Sequence, residues 1–507
     1  MHGKKIVSNS IISVVYRLVL LLIGFISRKI FVVYLGEEIL GLNSVYGNLL
    51  DLLNLADLGI GVAVQYQLYE PLVKKDNTKL SKILSSAKRI YNGIGFVVLT
   101  MGIVSCFFIQ HLIKETTYSL GFIRCSYLIS VVGIALGYFF VHMRLFLLAD
   151  EEMGVVNILD IVAKLLTTVI SLITTVIFRN YFVYLIINSL YGVLSNIFVY
   201  FIFRKKYPDI CSSDKNIKEE MRILTSNLKN VIPMKLSNYV YNSTDNIIVS
   251  KVLGLTTVAI YSNYMTIING IMGVEYLLGN VLLSPLGKTI KEIGNKDSTV
   301  YNYYLLFQYV QFVFTNFCTV SLLVLCTPFI ENFFGKRFLV SNFVLVLLIV
   351  DFFIHSMYQP AYVMYGAAGK FKDDKVITMI SAIMNIVISI VMVNIIGLSG
   401  VIVGTLVTDL YIWGVRTYQV VKQYFRQNLG SYIIKMLKYI FITGTGIVTT
   451  LMVIKSFCVD SRILDFLLRI LICLIIPNLI CIVLSVRSSE MNHLRKFCLN
   501  IIQGKRN

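Results

Sequence analysis

Three cations, Arg17, Arg28 and Lys29, lie inside an apolar run, SVVYRLVLLLIGFISRKIFVVYL, that extends from Ser13 to Leu35. The run is long enough to cross a bilayer, which takes about 20 residues. On insertion scales each cation in such a helix costs about 2.5–3.5 kcal/mol, so it is kept only where it meets protein, a partner or water. At 100° per residue, Arg17, Gly24 and Arg28 share an arc of about 40° on one helical face, while Lys29 points about 100° away. An arginine presents a planar fork of donors that engages phosphate oxygens two at a time. The stripe suits an anion held within the membrane, with Arg28, Arg17 and Lys29 as its candidate ligands. The competing reading is structural: Arg17 snorkels, and the other cations pair with carboxylates such as Asp51 on a neighbouring helix.

A second polar stripe occurs in KLSNYVYNSTDN, where Lys235, Asn242 and Asn246 fall within about 40° of one another and Asp245 flanks them. It reads either as the wall of a polar cavity, with all four as substrate-binding groups, or as an amide network between packed helices. Farther on, Asp351, His355 and Tyr358 share a helical face ahead of Pro360, where a kink is expected. An acid and a histidine one turn apart make either a proton relay or a buried hydrogen-bonded pair. Asp51 is a third candidate for coupling. Glu275 and Asp409 are single intramembrane acids, Lys164 can pair with Asp160 one turn away, and His142 reads as structural. No Gly-x4-Gly-Lys-Ser/Thr loop occurs, which argues against direct drive by ATP. The nine cysteines include no Cys-x-x-Cys pair, so neither a metal nor a redox centre is expected.

These groups need a membrane scaffold to position them. The chain has 507 residues, 57% hydrophobic and 14% charged, with a mean hydropathy of +0.76. That is the composition of a multi-span membrane protein. Its net charge of +19 does not call for nucleic acid, because most of the 46 lysines and arginines fall in alternate loops and at the two ends. This bias places both termini and the linker near Asp214 in the cytoplasm, with Glu37 and Asp460 outside. Hydropathy divides the chain into 14 spans, near 10–35, 39–66, 90–110, 121–147, 155–178, 181–203, 229–253, 257–283, 302–330, 338–365, 375–397, 399–422, 433–455 and 463–487. The expected fold is all-α. A lobe over 1–203 and a basic linker over 204–228 come first, then a second lobe over 229–422, two further helices over 423–487 and a basic tail over 488–507.

An internal repeat supports two lobes. One constant shift lays Leu35, Gly36, Ser44 and Tyr46 on Leu253, Gly254, Ser262 and Tyr264. The same shift sets Val169, Ile170 and Ser171 on Val387, Ile388 and Ser389, and places Ser27 and Arg28 opposite Asp245 and Asn246. Six spans per repeat gives the two copies the same membrane orientation, as in transporters built of two parallel lobes.

LGEEILGLNSVYGNLLDLLNLADLGIGVAV at 35–64 and DNIIVSKVLGLTTVAIYSNY at 245–264 resemble bacterial polysaccharide flippases of the O-antigen and capsule type. Those belong to the multidrug/oligosaccharidyl-lipid/polysaccharide exporter superfamily, and the likeness extends over the whole chain. The resemblance implies a V of two six-helix lobes that opens alternately to each side of the bacterial cytoplasmic membrane. It also implies an undecaprenyl-diphosphate-linked oligosaccharide as cargo, surrounding membrane lipids, and polysaccharide polymerase and glycosyltransferases as neighbours of a monomer. No cofactor is implied; the coupling source is H+, Na+ or the membrane potential. GFISRKIF at 24–31 is similar to the first-helix segment of the lipid II flippase branch, whose cavity arginine Arg28 would match. Lys29 stands where that branch has an acid, which argues against lipid II as cargo. A cation-coupled multidrug antiporter and a membrane glycan polymerase or ligase are the other classes. The cationic first helix disfavours the first, and the short outer loops, with no carboxylate constellation, disfavour the second.

Overall fold

The computed structural model describes residues 2–54, 60–114, 116–210, 243–293, 298–368, 371–457 and 461–488, with a few single positions besides. The first helices are α1 (His2–Leu35), α2 (Glu37–Asn54), α3 (Ile60–Lys74), α4 (Asn77–Phe108), α5 (Leu120–Tyr138), α6 (Val141–Ala149), α7 (Met153–Phe178) and α8 (Tyr181–Lys206). They are followed by α9 (Asp245–Leu253), α10 (Leu255–Ile293), α11 (Ser298–Phe334) and α12 (Asn342–Ala367). The last are α13 (Phe371–Ile396), α14 (Leu398–Thr417), α15 (Leu429–Lys455) and α16 (Arg462–Ser485). Helix is the element that satisfies every backbone group within its own segment, as a hydrocarbon surrounding demands. Among the described residues ten helices are long and apolar enough to cross a membrane. They expose large apolar side chains, such as Leu467, Leu471, Leu474 and Leu479 on α16, to the side where lipid lies. The chain is an all-α, multi-pass membrane protein.

Hydropathy does not register breaks within a span. The stretch 121–147 is divided between α5 and α6, while α2 and α3 both lie in or overlap the stretch 39–66, of which 55–59 are outside the described residues. The break after α5 leaves the Gly137 carbonyl without its usual helical donor, and Asn196 Nδ2 on α8 donates to it at 2.9 Å. Helix α12 continues through Pro360. Most of the span expected at 229–253 lies outside the described residues, α9 excepted.

The chain forms two compact units, Met1–Ser262 and Asn263–Asn507. In the first, α7 packs on α1 and α8, and α5 packs on α4 and α8. Helix α9 belongs here because it packs on α2. In the second, α14 packs on α12 and α13, and α11 packs on α12, α15 and α16. Phe312 stacks on Tyr439 there with ring centroids 4.0 Å apart. At the start of α2, Glu38 accepts from Thr117 N at 3.0 Å and Thr117 Oγ1 at 2.7 Å, and also from Thr116. Burial alone would raise this carboxyl, but the threonine donors outweigh it and hold Glu38 below its ordinary range.

The repeat is visible in the backbone. Helix α7 covers Met153–Phe178 and α13 covers Phe371–Ile396, the same interval moved by the 218 residues that separate Ser44 from Ser262. Gly36 and Gly254, related by that shift, both take positive φ, at 93° and 94°. Each ends a helix at a leucine and begins the next, a left-handed joint that glycine adopts without a Cβ penalty.

Candidate functional site

Helix α1 carries Arg28 past α2 and the first turns of α10, all within the first unit. The half-buried guanidinium donates from Nη1 to the Ser262 carbonyl at 2.7 Å. Its Nη2 donates to Ser262 Oγ at 2.8 Å and Ser44 Oγ at 3.3 Å. Ser44 Oγ donates in turn to Ser262 Oγ at 3.2 Å, so the two serines matched by the repeat are in direct contact around one arginine. These acceptors are neutral oxygens, arranged where a phosphate oxygen would be bound by the same fork. Gly24, one turn earlier on the same face, has open space at the position of a Cβ. Lys29 is exposed, as is Asp51 on α2. The backbone of Arg17 lies in α1, but its side chain lies outside the described residues, as do Lys235 and Asn242.

Asp245 and Asn246 open α9 and are half-buried. Asp245 Oδ2 accepts from Tyr261 OH at 3.0 Å, and Asn246 Nδ2 donates to Asn48 Oδ1 at 3.3 Å. Asn48 also donates to the Ser243 carbonyl at 2.6 Å, and its own carbonyl accepts from Tyr239 OH at 2.5 Å. Asn246 thus ties α9 to Asn48 of α2.

In the second unit His355 contacts an acid from another helix, Asp409 of α14. His355 Nδ1 lies 3.1 Å from Asp409 Oδ2 and 2.7 Å from Tyr358 OH, while Nε2 lies 3.1 Å from Gln359 Nε2. Asp351 is half-buried one turn earlier on α12. Beside His355, Ser356 Oγ donates to Glu275 Oε2 at 2.8 Å, and Gln311 Nε2 donates to Glu275 Oε1 at 2.6 Å. The Arg416 guanidinium lies over the Tyr358 and Tyr362 rings, at 5.4 and 4.9 Å. Histidine and two acids from three helices are brought together here, where the sequence suggested a pair on one helix.

An ion pair that the sequence did not reveal joins α6 to α7. Arg144 on α6 binds Asp160 on α7 through Nη1–Oδ2 at 2.8 Å and Nη2–Oδ1 at 2.6 Å. Its Nη2 also donates to Ser195 Oγ at 2.5 Å, and its Nε to Asn196 Oδ1 at 3.1 Å. Lys164, the expected partner of Asp160, instead donates to Asn188 Oδ1 at 3.4 Å and lies 5.0 Å from the Tyr191 ring centroid. The signal available was Arg144 itself, a cation within an apolar span that required a partner.

Solved transporters share this architecture. A lipid II flippase MurJ, in an inward closed conformation, superposes with a TM-score of 0.68 at 17% identity, over 94% of this chain and 98% of that one. An outward-facing multidrug resistance MATE family transporter of the MOP superfamily gives 0.57 at 15% identity, over 82% and 93%. A MOP superfamily transporter from Pyrococcus furiosus, described by the reverse polarity of its binding pocket, gives 0.57 at 15% identity, over 82% and 94%. Likeness at these identities establishes the fold, not the cargo. No curated protein sequence matches. The family described as polysaccharide biosynthesis protein matches residues 6–282, more than half of the chain, and the chain belongs to that family.

Proposed function

We propose that the protein moves undecaprenyl-diphosphate-linked oligosaccharide from the inner to the outer leaflet of a bacterial cytoplasmic membrane by alternating access, supplying capsule, O-antigen or another surface polysaccharide. The observation that carries this reading is Arg28, a forked cation set in a membrane-length helix and held by Ser44 and Ser262. A diphosphate does not enter hydrocarbon unaided, because its charge is too costly to desolvate. Arg28 lowers that cost by exchanging its serine oxygens for phosphate oxygens of similar geometry. Arg17 offers a second anion position about 16 Å along the same helix, at 1.5 Å per residue. One diphosphate cannot bridge that distance, so the two positions act in succession. Membership of a polysaccharide biosynthesis family supports a glycan cargo. The multidrug alternative shares the fold, but an organic cation is poorly matched to a cationic helix.

The test is to delete the gene and recover polyprenyl-linked glycans from each leaflet. Complete units accumulating on the inner leaflet support flipping. Unpolymerised units accumulating on the outer leaflet would instead make the protein a polymerase.

For coupling, we assign the proton to His355 and Asp409, with Asp351 on the same helix and Glu275, Tyr358 and Arg416 as the neighbouring charged or titratable groups. Asp409→Asn removes the carboxylate and keeps the shape. Flipping by this variant in vesicles should slow and lose its dependence on pH, with the amount of folded protein unchanged. A rate that follows the parent protein across the pH series would leave the pair a structural hydrogen bond.

A further inference from the structure

The first unit contains a cavity of about 550 Å3 walled by α2, α5, α6 and α8. Small-molecule sites have volumes of about 300–1,000 Å3, so the space is of ligand size. Its wall combines the rings of Tyr46, Tyr138 and Tyr191 with the side chains of Asn188 and Arg144, and with Gly47, which has none. Arg144 does not make this an anion site, because Asp160 takes both ends of its guanidinium. Nor does it suit an organic cation, since that carboxylate is already committed. Tyr46 lies at the back of the wall, buried, with its OH engaged by the Ile123 carbonyl at 2.7 Å and Ser126 Oγ at 2.8 Å and its ring packed on Tyr127. Lys164 engages Asn188 Oδ1 and covers the Tyr191 ring, fixing both. The amide NH2 of Asn188 is the group left to donate. The Tyr138 ring beside the amides of Asn43 and Asn188 and the hydroxyls of Ser130 and Ser189 fits a molecule with apolar ring faces and a rim of hydroxyls.

We infer that this cavity is a glycan subsite, which binds sugar rings of the cargo apart from the diphosphate held at Arg28. The inference rests on the flippase reading and adds to it where sugar specificity resides.

Gly47 provides the test. A Cβ at this position meets no atom within 4 Å, and the same holds at Gly137, also on the wall. The first atom of a side chain at either position thus enters open space. The probes are undecaprenyl diphosphate alone and the same lipid bearing the complete glycan, purified from the deletion strain. The parent protein should bind the glycan-bearing lipid about tenfold more tightly, a difference of about 1.4 kcal/mol. Gly47→Phe should abolish that difference while binding the bare lipid as the parent does, and Gly137→Leu provides an independent block should Gly47→Phe fail to fold. A preference for the glycan-bearing lipid that persists in the folded variants overturns the subsite. Equal binding of both lipids by the parent overturns it too but leaves the flippase reading standing. Binding of neither lipid by the parent removes both.

Discussion

Arg28→Ala should abolish glycan export from cells while the protein still inserts and accumulates. A charge-assisted hydrogen bond contributes about 1.5–3 kcal/mol, so losing the fork should weaken binding of undecaprenyl diphosphate by about ten- to a hundredfold. Arg28→Lys keeps the charge but gives up the planar pair of donors, and should fall between the alanine variant and the parent. Neither change burdens insertion, since removing a cation lowers its cost and lysine costs about the same as arginine. The serines separate binding from packing. Ser44→Ala removes one acceptor of the guanidinium and one hydroxyl–hydroxyl contact, yet leaves the cation in place. If Arg28 acted only as a packing element, Ser44→Ala would lower stability as Arg28→Ala does, and the alanine variant of Arg28 would accumulate poorly. Normal export by a well-accumulated Arg28→Ala protein would remove this residue from the site.

The second large effect is on stability. Arg144 and Asp160 have side-chain exposures of 21% and 8%, so the pair is largely withdrawn from solvent. Removing one member strands the other, which for buried pairs costs about 3–5 kcal/mol. Arg144→Met should therefore lower the unfolding midpoint sharply, and Asp160→Leu likewise. The double variant Arg144→Met, Asp160→Leu should be much less damaged than the sum of its parts, because no stranded charge remains. Denaturant titration of the four proteins in detergent measures this directly. Additive losses in the double variant would show that the two side chains are not energetically coupled.

The sequence made some of this legible and hid the rest for identifiable reasons. Long apolar runs are visible because each must satisfy its backbone internally across the membrane, and the helices occur in the order that hydropathy predicts. The break after Tyr138 is invisible in the sequence, since hydropathy averages over it. Arg28 is conspicuous as a cation in an apolar run, and the repeat matches Ser44 with Ser262, the two serines that are in contact. Pairings across helices were not legible. One-turn spacing, the proximity a sequence displays, pairs Asp160 with Lys164, whereas Arg144 reaches Asp160 from another helix, 16 residues away. His355 likewise meets Asp409 across 54 residues. Asp245 and Asn246 were found as a polar stripe, but their engagement with Tyr261 and Asn48 depends on helix packing that spacing does not encode.

The contact between Ser44 and Ser262 has a consequence for counting. Duplication supplied the serine twice, but the arginine once: where the first copy has Arg28, the second has Asn246. Two equivalent hydroxyls therefore converge on one guanidinium, and the pseudo-symmetry of the scaffold ends at that atom. A fully symmetric pair would offer two anion addresses and would be indifferent to which one was filled. Asymmetry at this position leaves the two duplicated hydroxyls to share the Arg28 guanidinium.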